Sequence, residues 1–423
     1  MYIYSIKPGR LYLHGQYFTM RILHTADWHI GKILHKQDLE EDILMFIDWL
    51  VDLVRQEKTD VLLVAGDIFD LSNPANRDLE IYYTALRRLA DTGVQIIITG
   101  GNHDSVSMLN AASYLLRSMN ITVLGGLSQE YGDHVIEAKS RDGSRSCAVL
   151  AVPFLRDRDL RQSVPAAEAE DRSKVIPAAV HSIYSELLGL ATQKFGHDIP
   201  VIAMGHLFMK GTFKSDSERE IHIGNLEGLE SDILPEGITY TALGHIHKPQ
   251  KIGKKDNVRY SGSPVFLDFS EREYSKMVII VEISEKNQIN IREVAIPKFR
   301  DMPKVTGTLP EVTDRLRAYQ NNYPLMAIAE VEVIEKSFDP IVHQAANELI
   351  NMDFAGHIRV IKNRISYADR ETGKPEVAEE QLNIRELSPI DIFTKRLDET
   401  DLLPKEKSHL TELYNKLLEE IME

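Results

Sequence analysis

Cysteine is almost absent from this chain: Cys147 is the only one in 423 residues. With no partner it forms no intrachain disulfide framework and no thiolate cluster, and within the apolar run Cys147 to Phe154 it reads as a small buried hydrophobe. Long hydrophobic runs are missing too. The apolar stretches are strand-sized and broken by Gly or His, well short of the roughly 20 residues that a membrane span requires. Positive charge is in deficit, with 49 Lys and Arg against 64 Asp and Glu and a net charge of -15. That balance argues against a protein that coats nucleic acid nonspecifically, so any polyanion site must be local or carried by bound cations. No Gly-x-x-x-x-Gly-Lys loop is present, which removes the usual cradle for a nucleoside triphosphate. The opening, Met1 to Thr19, carries Lys7, Pro8, Arg10 and Gly15 and no apolar core of signal-peptide length. We read it as an extension, with Met20 as the natural start, Arg21 as the beginning of the first strand and a cytoplasmic location.

What the chain does have is a repeated local pattern. Five segments run as an apolar strand and then stop at side chains that bind metals. They are Arg21 to Ala26 ending in Asp27 and His29, Val61 to Gly66 ending in Asp67, and Ile96 to Gly101 ending in Asn102 and His103. Val201 to Gly205 ends in His206, and Tyr240 to Gly244 ends in His245 and His247. In open α/β sheets the ligand crevice lies at the carboxyl ends of the strands, so lone strand tips can converge on one site. Asp27 and His29 stand two apart, as do His245 and His247, and on an extended segment such pairs face one way. Asp67 closes a buried strand where an unpaired carboxylate would be costly, and its two oxygens suit it to bridge two cations. In Gly100-Gly101-Asn102-His103-Asp104 the glycines permit a sharp turn, Asn102 offers a neutral oxygen, and Asp104 is placed to orient the His103 ring. Mixed Asp, Asn and His donors suit manganese, iron or zinc better than calcium. His24 reads as structural, His35 and His222 lack strand-tip context, and Ser215 to Glu220 reads as a polar loop, over the site or simply solvated.

Between the tips the periodicity is helical. Glu40 to Lys58 places Ile43, Phe46, Ile47, Leu50, Val51 and Val54 on one face, and a second helix is expected to start near Pro74, capped by Asn73, and to end before Gly93. A third is expected around Met108 to Met119 and a long one over Asp171 to Phe195. The βαβ alternation implies a largely parallel sheet flanked by helices. Short strands follow at Ile121 to Leu124, His134 to Ala138 and Cys147 to Pro153, and Met277 to Ile283 and Ile289 to Val294 close the first domain. Val305 to Tyr367 repeats helix then strand twice and contains no cluster of candidate ligands, as a small second domain would. Ala368 to Glu386 is polar and linker-like. The tail resumes at Ser388 and Pro389, and its last helix aligns Leu410, Leu413, Leu417, Leu418 and Ile421, a stripe open to packing on the chain itself or to docking on a partner.

Taken together, the segments Arg21 to Gly31, Gly66-Asp-Ile-Phe-Asp70, Gly101-Asn-His-Asp104, Gly205-His206 and Gly244 to Gln250 resemble those of the calcineurin-like metallophosphoesterases. With Ser217 to His222 and Arg259 to Pro264 added, the resemblance narrows to the bacterial SbcD nuclease subunits. It implies an α/β fold of layered sheets flanked by helices, with a small α+β capping domain and C-terminal helices. The corresponding boundaries are an extension over 1–19, a nuclease domain over 20–296, a capping domain over 297–367, a linker over 368–387 and partner-docking helices over 388–423.

The resemblance further implies one metal held by Asp27, His29, Asp67 and His247 and a second held by Asp67, Asn102, His206 and His245. His103 would contact the scissile phosphate and assist the leaving oxygen. Asp70 stands where some relatives carry a second active-site histidine, which leaves its role open. The implied cofactor is a pair of divalent ions, Mn2+ foremost, with Mg2+, Fe2+ or Zn2+ as alternatives. The implied activity is DNA exonuclease and hairpin endonuclease cleavage leaving a 5'-phosphate and a 3'-hydroxyl. The implied partners are DNA, an SbcC-type coiled-coil ATPase and a second copy of the chain, in a heterotetramer. A phosphomonoesterase or nucleotide phosphodiesterase could use the same donors.

Overall fold

The computed structural model describes residues 18–162, 172–213, 215, 218, 228–337 and 339–367, and isolated helical positions at 393, 396, 397, 407, 410, 411, 413 and 414. Residues 1–17 of the extension, the whole linker over 368–387 and most of the tail stripe lie outside the described residues.

Two six-stranded sheets face each other. The first runs Ile289–Ala295, Met277–Ser284, Phe18–Thr25, Val61–Ala65, Gln95–Thr99, Ile121–Leu124. Its last four strands are mutually parallel, as βαβ crossovers demand, and the two closing strands are antiparallel. The second runs Gln250–Ile252, Lys255–Tyr260, Tyr240–Gly244, Val201–His206, Ser146–Ala151, Val135–Lys139. The strands of the alternation through Gly101 are parallel neighbours in the first sheet, as expected, and the two sheets form the layered α/β arrangement that the resemblance implied.

Burial explains the layering. Met20, Ile22, Leu63, Ala65, Ile97, Val149, Ile202, Met204, Ala242 and Val281 form a core between the sheets. The opposite face of the first sheet is covered by Phe46, Leu50, Val54, Leu86 and Leu89 from its helices. The outer face of the second is covered by Ile176, Val180, Ile183, Tyr184 and Leu187. Strands such as Val61–Ala65, buried at every residue, are continuous apolar runs because both faces are covered. The strand expected from Arg21 begins at Phe18, and Met20 is buried and paired with Ile283.

The helices sit close to expectation, with two corrections. Glu40–Glu57 is one helix, and Asn76–Ala90 is another. The second is capped at Ala75, not Asn73: Ala75 offers no side-chain acceptor, and its N–H instead donates to the Asp78 carboxylate (2.9 Å). The third is broken into Val106–Asn110 and Ser113–Arg117, and Asn110 at the break accepts the Gly125 N–H through Oδ1 (2.8 Å).

Among the described residues, one helical stretch, Val175–Phe195, is long and apolar enough to cross a membrane by length and composition alone, with 39% of its apolar window buried. The reading that no stretch reaches that length is corrected here. One side of this helix packs on the second sheet, where its Tyr184 hydroxyl donates to the Met204 carbonyl (2.9 Å).

A third sheet of Lys304–Gly307, Ala327–Glu335 and Ile358–Tyr367 is all parallel, with helices Leu309–Ala318 and Pro340–Glu348 as crossovers and its own apolar core. Its approach is held by a buried ion pair. Arg300 donates to Asp42 (2.9 and 3.1 Å from Nε) and to the Met326 carbonyl (2.6 Å), and Arg272 pairs with Glu330 at 2.8 Å. In the tail, the rings of Phe393 and Tyr414 stack at 4.0 Å.

Candidate metal centre

Every strand tip singled out in the sequence arrives at one place. The carboxyl ends of Phe18–Thr25, Val61–Ala65 and Gln95–Thr99 in the first sheet meet those of Val201–His206 and Tyr240–Gly244 in the second. The sheets approach closely enough there for the His206 Nδ1–H to donate to the Ala65 carbonyl (3.0 Å). Gly66 and Gly101 make the approach possible. A Cβ on Gly66, whose φ is +86°, would run into the His206 ring, and one on Gly101 would run into Asp67.

The side chains fall into groups. Ligand atoms of Asp27, His29 and His247 lie within 4.8 Å of one another, and so do those of Asp67, His206 and His245. Asn102 Oδ1 joins the second group at 2.9 Å from His206 Nε2 and 3.2 Å from His245 Nδ1. Asp67 stands between the groups: its Oδ2 is 3.3 Å from His206 Nε2 and 3.6 Å from His29 Nε2. His103 meets the same oxygen at 4.0 Å, and its ring lies edge-on to His29 at 4.7 Å.

The backbone differs from the extended geometry expected of Asp27-x-His29. Asp27, His29 and Asp67 have φ of 54°, 47° and 49°, and His245 has 98°. The pairs face inward because the chain turns left-handed at the strand ends, and not because of a strand pleat. Each such conformation costs a non-glycine residue on the order of 1–3 kcal/mol and persists where the surroundings over-determine it. Asp67 Oδ1 accepts the His103 N–H (2.9 Å).

Four of the rings are held alike. The Nδ1–H groups of His29, His103, His206 and His247 donate to Asp70 Oδ1 (3.1 Å), the Asp70 carbonyl (2.7 Å), the Ala65 carbonyl and Glu271 Oε1 (3.1 Å). An acceptor on Nδ1 fixes the tautomer and leaves Nε2 toward the centre. Asp70, whose role the sequence left open, thus holds two rings at once, and it is itself held by Lys32 at 3.3 Å. Asp104 does not orient His103. Its carboxylate accepts the N–H groups of Ile68 (3.1 Å), Phe69 (3.0 Å) and Gly101 (2.8 Å), tying two strand tips together. His24, read as structural, is buried and bonds Tyr240 and Leu243.

Sequence reasoning missed Glu218, Glu271 and Lys276. The Ser215 to Glu220 stretch closes on the site at its described positions: Glu218 Oε1 accepts the His247 N–H (2.7 Å), and the Ser215 hydroxyl donates to Glu271 (3.2 Å). The signal for Glu218 was the Ser217 to His222 segment on which the resemblance partly rested; Glu271 and Lys276 had none. His222 lies outside the described residues.

The electrostatics favour a cation. Burial pushes the Asp27 carboxyl well up, and Asp67 beside it adds to that, against the pull of His206. For Asp67 burial acts the same way, but the imidazoles of His206, His103 and His29 outweigh it and hold the group well below the usual range. His206, which burial would lower, is raised to about 9 by Asp67 and Asp27. Asp27 Oδ2 and His29 Nε2 are buried without a hydrogen-bond partner among the described residues. Two inward, unsatisfied donor atoms of this chemistry are what a metal ion would engage, so the residues fit a divalent cation.

The comparisons agree with that chemistry. The calcineurin-like phosphoesterase family profile matches residues 20–249. The chain is similar to the SbcD component of the SbcCD nuclease of Escherichia coli K12, with 30% identity over 403 residues, 94% of this chain and 98% of that one. The protein of the same name from Rhodobacter capsulatus is 36% identical over 69% of this chain and 74% of its own. The one from Bacillus subtilis is 32% identical over 67% and 72%. The chain therefore belongs to the calcineurin-like phosphoesterase family and, within it, to the SbcD family of SbcCD nuclease components.

Proposed function

We propose that this chain hydrolyses DNA phosphodiester bonds at a pair of divalent ions, as the nuclease subunit beside an SbcC-type ATPase. The observation that carries the reading is the convergence of Asp27, His29 and His247 on one side of Asp67 and of Asn102, His206 and His245 on the other. In this reading Asp27, His29, Asp67 and His247 would hold one ion and Asp67, Asn102, His206 and His245 the other, with Asp67 bridging. Manganese is the proposed metal. Two ions so placed supply activation of a water near neutral pH and charge neutralisation at phosphorus.

The rest is done by the chain's own residues. Asp70 and Lys32 hold His29 in its tautomer and keep its ring from turning. His103, with Nδ1–H locked onto the Asp70 carbonyl, keeps Nε2 toward the centre, where the doubly protonated ring contacts a phosphate oxygen and gives its Nε2 proton to the leaving oxygen, returning to the neutral Nδ1–H form. Asp104 keeps the Asp67 and Asn102 turns in register. Residues 297–367 act in this proposal as a capping domain that shapes the DNA. Residues 388–423 dock on the ATPase, and two copies of the chain join in a cytoplasmic heterotetramer. The acidic balance of -15 fits a nuclease whose positive charge comes from its ions and partner.

The test is co-purification with the ATPase, followed by manganese-dependent cleavage of a DNA hairpin and of a small aryl phosphodiester. Cleavage of the hairpin by the complex is the expected result. Turnover of phosphomonoesters with no cleavage of DNA would overturn the assignment of substrate.

A further inference from the structure

Glu271 is fully buried and sits on the short turn Phe269–Glu273, where the Asp268 carboxylate accepts the Ser270 N–H (2.8 Å). Its Oε1 takes the His247 Nδ1–H at 3.1 Å and the Ser215 hydroxyl at 3.2 Å. Its Oε2 takes Lys276 Nζ at 2.5 Å, the Leu267 N–H at 3.1 Å and the Ser263 hydroxyl at 3.4 Å. Lys276 is 4% exposed, and its Nζ also reaches Ser263 Oγ at 2.6 Å and the His247 carbonyl at 3.4 Å. The rings of Tyr274 and Phe266 lie 4.9 and 5.4 Å from the ammonium.

A buried ion pair of this kind is poor value for stability alone, because desolvating two charges offsets most of their attraction and an apolar pair of similar volume would serve. The third member explains it. The carboxylate is aimed at the outer nitrogen of a ring whose inner side faces Asp27 and His29, and Lys276 holds the carboxylate ionised and in place by bonding both it and the His247 backbone.

We propose that Glu271, with Lys276 as its counter-charge, is a positioning residue for His247, keeping Nδ1 protonated and Nε2 directed at the ion shared with Asp27 and His29. The role rests on His247 being a ligand, as proposed above. It makes two of the five histidines dependent on separate carboxylates: His29 on Asp70 and His247 on Glu271.

The test titrates Mn2+ into the full chain and into the double variants Glu271→Leu/Lys276→Met and Glu271→Gln/Lys276→Met, which remove the charges together. Wild type takes up two equivalents. In the leucine variant one equivalent weakens by about 10–100-fold, the usual effect of losing a ligand's outer partner, and the other is unchanged. The glutamine variant, which keeps a neutral acceptor for Nδ1, recovers most of that loss. Two equivalents at wild-type affinity in the leucine variant would overturn the role and leave the pair purely structural. Wild type binding fewer than two would instead overturn the metal reading beneath it. Should the leucine variant not fold, the 15N shifts of His247 in Zn2+-loaded wild type decide. A protonated Nδ1 supports the role and an unprotonated one overturns it.

Discussion

Replacing His103 with alanine separates chemistry from metal binding. The ring is 5% exposed, its Nδ1–H is spent on the Asp70 carbonyl, and its Nε2 stands 4.0 Å from Asp67 Oδ2. In the proposed assignment no ion depends on it, so His103→Ala keeps both ions. What disappears is a proton donor and a contact to the phosphate. Such a group contributes about 10²- to 10⁴-fold, and at 1.36 kcal/mol per decade that is about 3–5 kcal/mol of transition-state stabilisation. The loss belongs in kcat, since the ions still bind the phosphate. The assay is hydrolysis of a small aryl phosphodiester at saturating Mn2+, with metal content measured on the same sample. An unchanged kcat would show the ring to be structural. Loss of an ion would show it to be a ligand.

Three further outcomes follow from the geometry. Asp67→Asn removes the charge between the two groups, so metal content falls below two per chain and activity is abolished; near-normal content by elemental analysis would refute the bridge. Gly66→Ala places a Cβ on the His206 ring at a left-handed position, costing about 1–2 kcal/mol from the backbone alone. It therefore lowers the melting temperature and weakens Mn2+ binding together, and an unchanged Mn2+ titration would refute the claimed crowding. Asp42→Ala leaves Arg300 buried without its carboxylate, a change costing about 3–5 kcal/mol. Hydrogen exchange should then quicken in residues 304–367, and unchanged protection would mean that the pair does not hold the third sheet.

The strand tips were legible because burial makes their signal local. A run such as Val61–Ala65 is apolar at every position, and the switch to Asp67 is abrupt. Helix faces were legible for the same reason. The layering was legible only through the family resemblance, since neither face of a doubly buried strand announces its neighbour. The groups around the centre were harder still. Asp70, Glu218, Glu271 and Lys276 are single charged residues on loops or turns, and only the fold brings Glu271 to His247 across 24 residues. Asp104 misled for a related reason: adjacency to His103 suggested a pair, but the backbone N–H groups of two strand tips were the nearer claimants.

The central claim is that donors from five strand tips hold two ions against one shared carboxylate, and electron paramagnetic resonance of the Mn2+-loaded chain tests it directly. Two equivalents, spin-coupled through a separation of about 3.5–4 Å, are the predicted result. A single bound ion, or two magnetically isolated ones, would contradict it.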